Sequence, residues 1–267
     1  MSGQCSELNG DAVSIEDLRT LALINYGHFT SMQVCDGYVR GLDLHLQRLD
    51  RATRELFGYP LDIEATRGYM RRMVEDVAGT LSLRINVFSR GLERDRLTVP
   101  AQPDVLVTAA PARTIASTPV RVRSVRYERE SPHIKHVGTF GLFQQRRLAQ
   151  AAGYDDALFV DATDAISEGS IWNVGFFDGV RVVWPDARAL DGTSMQMLKT
   201  GLRERGEPTV TRRVELSEVA SFRGAFFTNS SCTVCPIARI DGIDLEVDSD
   251  LLAMLEACMQ QQPLQRI

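Results

Sequence analysis

Residues 81–88, LSLRINVF, alternate along the chain so that Leu81, Leu83, Ile85 and Val87 project to one side of an extended backbone. That period of two predicts a half-buried strand, and DVLVTAA at 104–110 reads as another. Elsewhere the spacing lengthens: Leu42, Leu46, Leu49, Thr53 and Leu56 form one helical stripe, and Ile63, Met70, Met73 and Val77 a second. Beyond residue 119 short strands are expected at 120–126, 157–161, 172–177, 180–184, 209–215, 224–229 and 234–240. Helices near 139–152, 194–204 and 249–259 are interleaved among them. Strands and helices mixed without strict alternation predict an α+β protein of two units rather than one doubly wound parallel sheet.

The stretch 101–119, AQPDVLVTAAPARTIASTP, is rich in Pro, Ala and Thr, and the pattern restarts after it with RVRSVRY. A junction is therefore expected there, with an N-terminal domain over 1–115 and a C-terminal domain over 116–267. Between two such units is the usual place for a small ligand. The 267 residues, 44% hydrophobic and 24% charged, suffice to bury a sizeable core. A net charge of −5 supplies no global basic field for nucleic acid or an anionic membrane, and no apolar run is long enough to span a bilayer. The polar start, MSGQCSELNGDAVS, lacks the basic and apolar segments of a secretory leader, so a cytoplasmic protein is expected. Five scattered cysteines fit reduced thiols. Cys232 and Cys235 form a C-x-x-C, but neither further zinc ligands at comparable spacing nor a helix start accompanies them, and no metal site is expected.

Lysine and arginine together number 30, yet only two are lysines, Lys135 and Lys199. A lysine amine can lose its proton when desolvated and act as a nucleophile or Schiff-base former, which a guanidinium cannot. Lys135, in HIKHVGTFG, lies between a predicted strand and a predicted helix; Lys199, in MQMLKTGLRERG, is explained by a solvated helix face. In DATDAISEGSIWNVGFFDG, Glu168 precedes Asn173 by five residues on a turn entering a strand. A carboxylate there is either an ordinary loop acid or a group able to hold a proton on a heteroaromatic nitrogen. Thr193 and Ser194, just before a helix, and Ser230 and Ser231, after a strand, are either turn and cap residues or a phosphate cradle. His45 and Arg48 share one helix edge, where the arginine is either solvated and paired with a carboxylate or available to a phosphate.

In this order the motifs carry more than each does alone. H-x-x-R-L, a lysine in I-K-H, G-Y-D-D-A-L-F-V-D with E-x-x-x-x-N, L-x-G-T-S, and T-N-S-S with P-I-x-x-I-D-G resemble the class IV aminotransferase family over roughly residues 22–243. These are the pyridoxal-phosphate enzymes of fold type IV, among them branched-chain and D-amino-acid aminotransferases and aminodeoxychorismate lyase. The resemblance implies two α/β domains with the active site at their interface, in a homodimer. It implies that Lys135 forms the Schiff base with pyridoxal 5'-phosphate and moves the substrate proton, and that Glu168 pairs with the pyridine nitrogen. Arg48, Thr193, Ser194 and Ser230 would bind the phosphate.

Three positions depart from the family pattern: Phe140 stands where many members have tyrosine, Gly138 where an asparagine is usual, and Met195 where an arginine is common. The I-K-H run and G-H-F-T-S at 27–31 look more like the lyase branch, which makes Thr30 and Ser31 candidate substrate-side hydroxyls; strand packing beside Phe29 explains them equally well. The expected activity is amino-group transfer between an amino acid and a 2-oxo acid. The alternatives are release of pyruvate from an aminodeoxychorismate-like substrate, and a noncatalytic relative that binds a metabolite.

Overall fold

The computed structural model describes residues 5–75, 77–112 and 118–267. The chain divides into two compact units, one of Met1–Thr114 with Ile134–Gly138 and Pro263–Ile267, the other of Ile115–His133 with Thr139–Gln262. The boundary expected between residues 115 and 116 lies outside the described residues.

The first unit opens with β1 (Cys5–Leu8), β2 (Asp11–Ala12) and α1 (Ile15–Ile24), then β3 (His28–Cys35), β4 (Tyr38–Arg40), α2 (Leu42–Phe57), α3 (Ile63–Val74), β5 (Thr80–Phe88) and β6 (Asp104–Pro111). The strands form an antiparallel sheet in the order β4-β3-β5-β6-β1-β2. Its two faces follow from strand alternation. Leu81, Leu83, Ile85 and Val87 lie opposite Val34, Met32, Thr30 and His28, and the apolar members join a core closed by Leu42, Leu46, Leu49, Phe57, Met70 and Met73 of α2 and α3. The other face carries Phe29, Ser31, Arg84 and Asn86. Helix α2 ends at Gly58, whose φ of 70° suits glycine and whose N–H bonds the Arg54 carbonyl.

The second unit contains β7 (Val120–Arg126), α4 (Phe140–Ala151), β8 (Asp156–Val160), β9 (Ile166–Gly169), β10 (Asn173–Phe177), β11 (Val182–Pro185), α5 (Thr193–Glu204), β12 (Thr209–Arg212), β13 (Gly224–Thr228), β14 (Cys235–Ile240), β15 (Ile243–Asp244) and α6 (Ser249–Gln261). Its sheet runs β12-β11-β10-β13-β14-β7-β8-β9, with β15 beside β14. Pairing is parallel at β11–β12, β14–β7 and β7–β8 and antiparallel elsewhere, the mixed α+β arrangement expected from the sequence. Val174, Phe176, Ala225, Phe227 and Ile237 build one core. On the opposite face Phe226 lies edge-on to Trp184 and covers Gly175, where a Cβ would sit 2.4 Å from its ring. The chain ends in β16 (Leu264–Arg266), which returns to the first unit to pair with β4.

Candidate functional site

In the first unit, Lys135 is held by backbone pairing to β3. The Phe29 N–H donates to the Lys135 carbonyl at 2.9 Å, Val137 N–H donates to Gly27 O at 2.9 Å, and His28 and His136 form an antiparallel bridge. Cross-strand neighbours share a face, so Lys135 lies on the side of Phe29, with its Nζ 5.0 Å from the ring centroid. The Arg84 guanidinium stacks on the same ring at 3.5 Å, and its Nε donates to Asn86 Oδ1 at 2.9 Å. Among the described residues no carboxylate pairs with Arg84, and burial pushes its pKa down. Ser31, half-buried, follows Phe29 on this face, opposite Arg84 in the register.

Thr30 points the other way, under α2, and is fully buried. Its Oγ1 accepts from Arg48 Nη2 at 2.5 Å and lies 2.6 Å from His45 Nδ1. Arg48 and His45 are buried as well, brought beside Thr30 by their three-residue spacing on α2. Burial, then the positive charges of Arg48 and Lys135, hold His45 far below the usual histidine range. His28, bonded to Thr53 Oγ1 at 3.0 Å, is pushed down to about 3 by burial and Arg48. The structure thus brings Lys135, Arg48, Thr30 and Ser31 onto the two sides of one strand. Thr30, expected as a substrate-side hydroxyl, is committed to Arg48 and His45.

In the second unit, Glu168 is buried on β9 and its Oε2 accepts the Leu190 N–H at 3.2 Å. Asn173 Nδ2 donates to the Leu190 carbonyl at 2.8 Å. Gly192, the residue before α5, sits so close to Asn173 that a Cβ there would lie 2.0 Å from Oδ1. Thr193 and Ser194 follow as buried first-turn residues of α5, whose start has no side-chain cap and no acidic residue. Ser230 is half-buried after β13, in a turn where Asn229 Oδ1 accepts from the N–H groups of Ser231 and Cys232 at 2.8 Å. Thr228, opposite Asn173 in the register, has a buried Oγ1 that finds no partner among the described residues. Arg129, not favoured over other arginines by the sequence, is buried and lies within the electrostatic reach of Glu168 and Tyr127.

These groups suit a phosphorylated, nitrogen-containing ring. Uncapped N–H groups and buried hydroxyls at a helix start, and a partnerless threonine hydroxyl, are donors for a phosphate; a buried carboxylate is an acceptor for a ring N–H. Residues 27–240 match the family described as Amino-transferase class IV.

The chain belongs to the class IV aminotransferase family. Class IV aminotransferases use pyridoxal phosphate. A probable branched-chain-amino-acid aminotransferase of Rickettsia felis is 32% identical over 101 residues, 38% of this chain and 34% of that protein, so the match spans about a third of that relative's length. Aminodeoxychorismate lyase of Bacillus subtilis is 24% identical over 249 residues, 83% of this chain and 80% of that protein. The crystal structure of a branched-chain aminotransferase from Thermoproteus uzoniensis, with norvaline, superposes with a TM-score of 0.85 at 21% identity, over 97% of this chain and 94% of that one. That likeness shows the fold.

The departures from the class IV pattern have plain local settings. Phe140 is the first residue of α4 and is 80% exposed. A Cβ at Gly138 would meet His136 Nδ1 at 3.1 Å, a tight but not closed position. Met195 is half-buried in the first turn of α5. Among the described residues no helix is long and apolar enough to cross a membrane.

Proposed function

We propose that this class IV enzyme transfers an amino group between an amino acid and a 2-oxo acid, with Lys135 as the Schiff-base lysine. The observation that carries the reading is the lysine itself, pinned by the β3 backbone beside Phe29 and sharing that ring with Arg84. Bound pyridoxal phosphate supplies the electron sink that makes the Cα–H of an amino acid acidic. The Lys135 amine takes that proton and returns it, for which it must be neutral. Glu168 holds a proton on the pyridine nitrogen. Arg48, Thr193, Ser194 and Ser230 hold the phosphate, and the Thr228 hydroxyl, without a partner among the described residues, supports a polar ligand on that side of the sheet.

Arg84 receives a substrate carboxylate in this reading. Arg126 is paired with Asp164 at 2.8 Å and Arg129 lies near Glu168, whereas Arg84 is desolvated without an acidic partner among the described residues. The working assembly is a homodimer, as the family resemblance implies.

A second reading, a lyase releasing pyruvate from an aminodeoxychorismate-like substrate, is favoured by the length over which the Bacillus subtilis lyase matches. The test is the near-ultraviolet and visible spectrum of the protein with pyridoxal phosphate, before and after borohydride, for wild type and Lys135→Ala. A band fixed by borohydride onto the peptide containing Lys135, and missing in the variant, is expected. An unchanged band in the variant overturns the lysine assignment. Product analysis then separates the two readings: pyruvate released without an amino acceptor identifies the lyase.

A further inference from the structure

We infer that Thr30 and His45 are positioning residues for Arg48, holding its guanidinium in the orientation that meets the cofactor phosphate. The inference rests on the proposed phosphate role of Arg48.

An arginine on a helix has four side-chain torsions to fix, and burial alone does not choose among their rotamers. Here one guanidinium nitrogen, Nη2, donates to Thr30 Oγ1 at 2.5 Å. Thr30 is rigid on three counts: it is β-branched, lies in the middle of the paired register between β3 and β5, and is fully buried. Its hydroxyl has a single proton, and the guanidinium can only donate, so that proton is left for His45 Nδ1 at 2.6 Å. His45 is the next link. A charged imidazole would carry hydrogens on both nitrogens and leave the threonine proton without an acceptor. Burial, with the Arg48 charge beside it, keeps the ring neutral, which frees Nδ1 to accept.

The chain Arg48→Thr30→His45 is therefore directional, the guanidinium donating to the hydroxyl and the hydroxyl to the imidazole. It anchors the Nη2 end of the arginine through a neutral hydroxyl and imidazole. A hydroxyl and an imidazole orient the guanidinium without adding a negative charge beside it. The same geometry accounts for Thr30 facing α2 while Phe29 and Ser31 face Arg84.

The experiment is a binding titration of the cofactor-stripped protein with pyridoxal 5'-phosphate and, separately, with pyridoxal, which lacks the phosphate. Thr30→Val keeps the shape and removes the hydroxyl. Its dissociation constant for pyridoxal phosphate is expected to rise on the order of tenfold while that for pyridoxal changes less than about twofold. Thr30→Ser, which restores the hydroxyl, should recover most of the loss. A role in folding alone would weaken both ligands together, and that result overturns the inference. Arg48→Gln is the reference: if it selectively loses pyridoxal phosphate and Thr30→Val does not, the relay is wrong and the phosphate role of Arg48 stands. If Arg48→Gln discriminates neither ligand, the phosphate role falls and the inference with it. Should Thr30→Val not fold, His45→Gln carries the same test, with a selective loss expected and an equal loss for both ligands overturning the proposal.

Discussion

Glu168 and Asn173 hold opposite ends of one residue: the carboxylate accepts the Leu190 N–H at 3.2 Å, and the amide donates to the Leu190 carbonyl at 2.8 Å. The five-residue spacing of these side chains, legible in the sequence, thus serves a loop that leads into α5 rather than two separate contacts. Asn173→Leu leaves the buried Leu190 carbonyl without its donor. A loss of about 1–3 kcal/mol in unfolding free energy is expected from that alone, measured as the urea midpoint of wild type and variant. Because the loop also sets the start of α5, the variant should release pyridoxal phosphate faster on dialysis.

Gly192 is the tightest point of this arrangement. Replacing it by alanine places a methyl group 2.0 Å from Asn173 Oδ1, so either the amide or the helix start must move. Gly192→Ala should therefore weaken retention of pyridoxal phosphate, and combining it with Asn173→Ala, which empties the space, should restore part of the loss. The measurement is cofactor content after dialysis for both single variants and the double variant; additive losses would show that the contact does not matter.

Arg84 makes a different prediction, because it shares the Phe29 ring with Lys135 but bonds only to Asn86 among the contacts described. Arg84→Gln should leave the Schiff-base spectrum with pyridoxal phosphate unchanged and lower kcat/KM for the amino-acid substrate by roughly 30- to 100-fold, the scale of a lost charge-assisted hydrogen-bond pair. Steady-state kinetics with the spectrum as control decides it. A variant that loses the band along with the activity would count against a substrate role.

The sequence was informative where one side of an element is apolar and the other polar. The alternation at 81–88 is β5, the leucine stripe is α2, and the helix starts read near 139, 194 and 249 fall at α4, α5 and α6. Strand β3 is harder to read: its buried face carries His28 and Thr30 beside Met32 and Val34, so polarity does not mark which side faces the helices. Those polar residues are buried because α2 supplies them with partners, a relation set by tertiary contact. Helix α1 did carry a local signature, since Ser14 and Asp17 form a capping box, but its apolar residues stay exposed or half-buried and make no core stripe. Lys135 stands out in the sequence by its rarity and context. That its carbonyl would pair with Phe29, and that Arg84 rather than Arg126 or Arg129 would share the ring, depended on strands far away in the chain.

The two buried histidines of the first unit also set how stability responds to acid. His28 has a folded pKa of about 3 against an ordinary value of 6.5, and His45 is likewise held low. Between those limits the unfolded chain binds protons that the folded chain refuses, so the free energy of unfolding rises with pH. Stability is complete above about pH 6.5 and is lost as the pH falls toward 3, with a slope near 1.4 kcal/mol per pH unit for each histidine fully inside the window. Urea unfolding at pH 7.5, 6 and 5 should show the decline. His28→Asn removes one titrating group, and its curve should be shallower by one proton over the same range, whatever its stability at pH 7.5. A wild-type curve flat from 7.5 to 5, or a variant slope equal to the wild type's, would mean that His28 is protonated in the fold and that burial beside Arg48 does not exclude its charge.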